Sequence, residues 1–214
     1  MTARHTSVAT LGATAGLFVA AGAVVMLVAL AAAPGSWLLG YVSEAGTAGQ
    51  PYAIPYRWGL GLLALGVASL SAANLLRPPS AGRSRLIAAL LGLAAVLAGA
   101  SSAVPCSNQC PLPPFEPTTV ADVVHTAASI VGMVLLAGAM LAIALADTDP
   151  MQRRLAAVAV ALAVPLGGAL GLTMLLDGRG ALGATLERAL LVVAVSWLIG
   201  TSGSTLLRNS VKVE

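Results

Sequence analysis

Six long apolar runs, separated by short polar or proline-rich breaks, leave this chain very few ways to fold. They lie at about 8–33, 58–76, 86–104, 120–146, 155–176 and 182–207. A hydrocarbon core of roughly 30 Å is crossed by about 20 residues of helix, and every run is near or above that length. Within lipid each backbone N–H and C=O must find its partner inside the protein, so isolated apolar spans of this size become helices. The composition agrees, with 58% hydrophobic residues, 9% charged residues and a mean hydropathy of +0.92, values that exclude an ordinary soluble globule. We therefore expect an all-α polytopic membrane protein, one six-helix transmembrane domain over residues 1–214 in contact with the lipid bilayer.

The first run follows Arg4 and His5 and ends in Ala31, Ala32 and Ala33, which resembles a signal-peptidase site. It is longer than a signal-peptide core of roughly 7–15 residues, so we read it as a retained first helix. Six crossings place both termini on one side. Eight of the eleven basic residues share that side, namely Arg4, Arg77, Arg83, Arg85, Arg153, Arg154, Arg208 and Lys212, whereas Arg57, Arg179 and Arg188 lie opposite. By the positive-inside rule both termini are expected in the cytoplasm, with the chain in the plasma (inner) membrane. Basic residues placed singly and in pairs at segment ends make the net charge of +3 a topology signal, not a nucleic-acid surface. Trp37, Tyr41, Tyr52, Tyr56 and Trp58 mark a headgroup interface, and Trp37 to Ser43 suits a short helix lying on that surface. Gly12 and Gly16, then Gly59, Gly61 and Gly66, suit close helix packing. Pro165 with Gly167, Gly168 and Gly171 predicts a kink in the fifth helix.

The polar groups that membrane ends and turns do not explain gather at the face opposite the termini. Cys106 to Ser129 reads CSNQCPLPPFEPTTVADVVHTAAS, a proline-rich loop that runs into the fourth helix. Asp122 and His125 are spaced i, i+3 and Ser129 follows at i+4, so all three share one helical stripe. One reading makes Asp122 a helix-terminus anion near Thr118 or Thr119 and His125 an interfacial side chain with a satisfied hydrogen bond. The other makes the carboxylate an orienting partner for a histidine base, since ionisable groups inside a span are expensive. Glu187 and Arg188 are adjacent and point about 100° apart, so one of them should face the bundle. Arg57 and Arg188 are candidate partners for Glu44, Asp122 or a lipid phosphate, because guanidinium binds oxyanions bidentately. Cys106 and Cys110 are the only cysteines, and on an oxidising face a short disulfide is the simplest outcome. Cys106, Cys110, His125 and Asp122 would make a chemically acceptable zinc set, but their spacing matches no standard zinc module and only one further histidine, His5, exists. We expect no metal and no cofactor. No phosphate loop, dinucleotide fingerprint or nucleophile elbow is present.

SWLLGYVSEAG after the first helix, CSNQCPLPP, and DVVHTAAS opening the fourth together resemble the domain-of-unknown-function 998 family of six-helix bacterial membrane proteins. The resemblance covers nearly the whole chain, and its most specific parts are Ser43 with Glu44, Asp122 with His125, and Arg188. The family brings no established activity. A more distant likeness to lipid-associated proteins of the Frag1, DRAM and Sfk1 type concerns the fold alone. Intramembrane hydrolases of the ceramidase and adiponectin-receptor kind also use serine, aspartate and histidines, but the further histidines are missing from this sequence.

These readings lead to an integral membrane protein with an outward-facing polar pocket for a lipid headgroup or small ligand, or one that supports a membrane complex. Glu44, Arg57, Glu187 and Arg188 are its candidate ligand-binding residues. The alternative is an intramembrane lipid hydrolase with His125 as base, Asp122 orienting it, and Ser43 or Ser129 as nucleophile or donor. A small transporter hinged at Pro165 is the third reading.

Overall fold

A computed structural model describes residues 2–33, 40–77, 83–146 and 149–210, without the side chains of residues 2–5, 83 and 207–210. Trp37, and the side chains of Arg4, His5, Arg83, Arg208 and Lys212, fall outside the described residues. The described residues form helices and no strand: α1 (Thr2–Ala32), the 3-10 helix η1 (Val42–Gly46), α2 (Ala53–Leu76), α3 (Arg83–Ala103), α4 (Val120–Ala146), α5 (Pro150–Leu176) and α6 (Ala181–Ser210). All six α-helices are long and apolar enough to cross a membrane.

Each helix packs on its neighbours in sequence, and α1 packs on α6, so the contacts close into a ring. Short connections between antiparallel spans produce this order directly. One end of the ring holds η1, the Cys106 loop and the α5–α6 turn; we call it the loop end. The other holds the start of α1 and the end of α6. Large side chains such as Leu172, Leu175, Val158 and Val192 point outward and are well exposed, as expected of a bundle whose solvent is lipid.

The α1–α2 crossing is set by glycine. A methyl group at Gly59 would lie 2.6 Å from Met26 Cγ and 2.8 Å from the Gly22 carbonyl, so the two backbones meet where no side chain fits. Gly12 and Gly16 face α6 instead, against Thr205 and Ser202. Of the α5 glycines only Gly167 meets a neighbour, Leu190 at 3.9 Å from where a Cβ would lie, whereas Gly168 and Gly171 have open space there. The helix continues through Pro165 as one element.

Four helices, α1, α2, α3 and α5, start ahead of their apolar runs, and two of these early starts bury polar or aromatic side chains. α5 opens at Pro150 behind Asp149, whose carboxylate accepts from the Met151 amide at 2.9 Å, a proline at N1 with an aspartate N-cap. This first turn buries Gln152, which takes Arg77 Nη1 at 3.2 Å and donates to Ser204 Oγ at 3.1 Å. α2 starts at Ala53, which carries Tyr56 into the core at 4% exposure instead of leaving it at the interface. Of the surface helix expected over Trp37 to Ser43, residues 37–39 lie outside the described residues; Gly40 and Tyr41 are not helical, and η1 begins at Val42. Val42, Ala45 and Gly46 of η1 are buried because it tucks over the bundle end.

Candidate functional site

Polar side chains at the loop end fall into three groups, each built around a different pair of elements.

The first fastens the Cys106 loop to α4. Asp122, 1% exposed, accepts at Oδ1 from the Ser107 amide at 2.6 Å. Its Oδ2 accepts from Ser107 Oγ at 3.0 Å and from the Thr119 amide and hydroxyl at 2.7 Å each. Thr119 Oγ1 lies 3.3 Å from the Asp122 amide and accepts from it. Thr119 and Asp122 thus form a capping box, with aspartate in the N3 role usually held by glutamate or glutamine. The carboxylate has spent its acceptor sites on the helix start and on Ser107, and none goes to His125.

His125, also buried, turns instead to the end of α3. Its Nδ1 is 2.9 Å from the Val104 carbonyl and 3.0 Å from the Ser101 carbonyl. Both are acceptors only, so Nδ1 carries a proton and, in the neutral ring, Nε2 the lone pair. Ser101 Oγ lies 3.2 Å from Nδ1 and 2.8 Å from Ser129 Oγ, giving a hydrogen-bonded chain from His125 through Ser101 to Ser129. The stripe of Asp122, His125 and Ser129 is therefore divided between two tasks. Beside it Cys106 and Cys110 are paired and buried, their Cα atoms 5.1 Å apart, within the span a disulfide bridges. Gln109 and Cys110 adopt φ of 69° and 47°, which turns the chain back toward Cys106. One ligand atom from each of Cys106, Cys110 and His125 falls within 4.8 Å of the others. Four positions of sequence separate the cysteines, but only folding brings the histidine to them.

The second group joins η1 to α6 and the loop. Glu187 points into the bundle and accepts from the Val42 amide of η1, with the Ser43 amide close by. Arg179 ties three segments: Nη2 is 3.2 Å from Glu44, and Nη1 is 3.4 Å from Glu116 and 3.2 Å from Gln109 Oε1. Tyr41 donates its phenol to the Gly178 carbonyl at 3.3 Å. Gly178 sits at φ +70°, a conformation that suits glycine in this turn. Burial raises the ionisation of Tyr41 above the ordinary phenol value; Glu187 adds to this, and Arg179 opposes it. Arg188 donates to the Ala184 carbonyl of its own helix at 2.8 Å.

The third group lies between α2 and α3. Arg57 donates from Nε to the Ser102 carbonyl at 2.8 Å and from Nη2 to the Ala103 carbonyl at 2.9 Å. The Ser102 hydroxyl returns a bond to the Arg57 carbonyl at 3.0 Å. A cation on the last carbonyls of a helix is favoured by its dipole. Arg57, Ser102 and Ala103 line a groove of about 420 Å³ with Gly61, Leu62 and the well-exposed Ile54, Trp58 and Leu65 on the outer side of the bundle.

Among the described residues no hydrogen bond or ion pair joins Asp122 or His125 to Ser43, Glu44, Arg57 or Glu187, so the expected residues share one end of the bundle without sharing contacts. Ser101 and Ser107 complete these groups without a signal in the sequence, together with Thr119, which the sequence marks only as a helix start, and Arg179, which it marks only as a topology charge. The spacing of Thr119 and Asp122 was a capping signal in plain view. Nothing local to Ser101 or Arg179 announces its partners.

The helices define a multi-pass membrane protein. A family described as "Protein of unknown function (DUF998)" matches residues 9–202, and the chain belongs to that family. Neither the curated proteins nor the solved structures contain a match to the chain.

Proposed function

We propose that this protein binds the anionic headgroup of a membrane lipid at its loop end, with one acyl chain laid in the α2–α3 groove. The observation that carries the reading is that Arg57 lines that groove. Nε and Nη2 are fixed on the end of α3, which leaves Nη1 without a partner among the described residues and directed by two anchors. A guanidinium corner held in the lining of an otherwise apolar cleft, with Trp58 71% exposed along its wall, suits a phosphate beside an acyl chain. In this proposal the loop end faces outward, the termini lie in the cytoplasm of a bacterial plasma membrane, and Cys106 and Cys110 form a disulfide in an oxidising compartment. Glu44, Glu187 and Arg179 hold η1 and the loop over the bundle and do not contact the lipid.

The test is lipid retention. Protein extracted in mild detergent and analysed by native mass spectrometry should carry an anionic phospholipid, and Arg57→Ala should lower that occupancy about tenfold, the equivalent of about 1.4 kcal/mol. Equal occupancy by zwitterionic and anionic lipids, or none lost in Arg57→Ala, refutes the assignment.

A second reading rests on the chain from His125 through Ser101 to Ser129. A histidine with its lone pair on Nε2 beside two hydroxyls is the raw material of a lipid hydrolase. Against it, Asp122 is committed elsewhere and backbone carbonyls take its orienting role. Lipid profiles of cells carrying wild type or His125→Ala would differ in an ester or amide lipid if the hydrolase reading is right, and a binder leaves them alike.

A further inference from the structure

We infer that Cys106, Cys110 and His125 form a redox-gated binding site for zinc(II), closed while the two sulfurs are bonded to each other and open when they are reduced. The three residues are buried, at 1%, 4% and 6% exposure, and their ligand atoms lie within 4.8 Å of one another. The imidazole is already arranged for a metal. Its Nδ1 lies on the Val104 and Ser101 carbonyls, which fixes the ring, so in this proposal the ligand is Nε2, whose Ser101 hydroxyl contact of 3.5 Å is long enough to be given up, and the carbonyls act as the outer contacts of metal-binding histidines do. Two thiolates and a neutral imidazole are a borderline-soft set that suits zinc, with water in the fourth position. Charge favours the same answer: zinc(II) with two thiolates is neutral, so occupying a buried site leaves no net charge to desolvate. The loop that carries both cysteines is fastened beside His125 by Ser107 on Asp122, which keeps the third ligand in register with the other two in either redox state.

The exchange balances. A dithiol reductant passes two electrons and two protons to the disulfide, the S–S bond breaks, the reductant leaves as its own disulfide, and Cys106 and Cys110 become thiols. Zinc binding then releases both thiol protons and forms two Zn–S bonds and one Zn–N bond. Oxidation by a disulfide reverses the sequence and expels the ion.

The experiment uses the full chain in detergent micelles, stripped of metal, either oxidised or reduced with a phosphine, then exposed to zinc(II), desalted and assayed by elemental mass spectrometry. The reduced protein should retain one zinc per chain and the oxidised protein none, and His125→Ala should weaken zinc binding by tenfold or more. Cysteine variants can misfold, so cadmium(II) on the wild-type chain gives a second readout: a thiolate-to-metal absorption band present when reduced and absent when oxidised. Failure of the reduced protein to hold zinc, equal retention by His125→Ala, no cadmium–thiolate band, or retention of copper(I) in place of zinc each overturns the assignment.

Discussion

Removing the Asp122 carboxylate should open the loop end while leaving the six-helix bundle in place. Asp122→Ala withdraws the acceptor for the Ser107 and Thr119 amides and for both of their hydroxyls. The hydroxyls can rotate to other partners; the two amides cannot. A buried donor left unsatisfied costs roughly 1–3 kcal/mol, so with some relaxation of the loop the loss is about 2–4 kcal/mol. Asp122→Asn keeps one oxygen but sets an NH2 group against donors, and should lose about half as much. Unfolding in mixed detergent micelles followed by circular dichroism gives the stability, and the rate at which dithiothreitol reduces the Cys106–Cys110 pair reports release of the loop. Both variants should unfold more easily and be reduced several-fold faster, with Thr119→Ala in between. If Asp122→Ala falls within about 0.5 kcal/mol of wild type and is reduced at the wild-type rate, the fastening role of Asp122 is wrong.

Gly59→Ala places a methyl group against the Gly22 carbonyl and Met26, so it should cost about 1–3 kcal/mol, whereas Gly168→Ala, with open space around it, should be neutral or slightly stabilising by the same unfolding assay. Tyr41 has its ionisation raised in the fold, so the stability this adds is whole below pH of about 10 and is lost as pH rises through the higher folded value. Tyr41→Phe should lose about 0.5–1.5 kcal/mol at neutral pH, with the Gly178 hydrogen bond, and show a flatter alkaline decline in a pH series of melts. Gln152→Ala should destabilise by about 1–3 kcal/mol by removing its buried hydrogen bonds to Arg77 Nη1 and Ser204 Oγ, measurable in the same unfolding assay.

The spans were readable because lipid imposes one simple demand, an apolar stretch of sufficient length, and α4 could be placed from Val120 to Ala146 on that demand alone. Helix starts made of polar residues were harder. Gln152, Arg153 and Arg154 look like a turn, yet Asp149 and Pro150 begin α5 ahead of them, and the cap-plus-proline pattern was the signal that counted. Buried polar pairs were the least legible. The Ser101 hydroxyl meets His125 and Ser129 only because α3 and α4 pack side by side, and Arg179 finds Glu44 and Glu116 from two other segments. Spacing along one helix correctly grouped Asp122, His125 and Ser129 on a stripe, but which neighbour each would choose depends on the facing helix.

The Arg179 tie also sets an order of events at the ribosome. Glu44 and Glu116 both precede the cation they share, and α1 precedes the α6 surface on which it rests. As the chain is made, the first five helices enter the bilayer with those carboxylates still facing water and one flank of α1 still facing lipid. Only arrival of the final hairpin neutralises the acids and completes the ring. A nascent chain that stalls before Arg179 therefore lacks both the cation that Glu44 and Glu116 share and the α6 surface on which α1 rests.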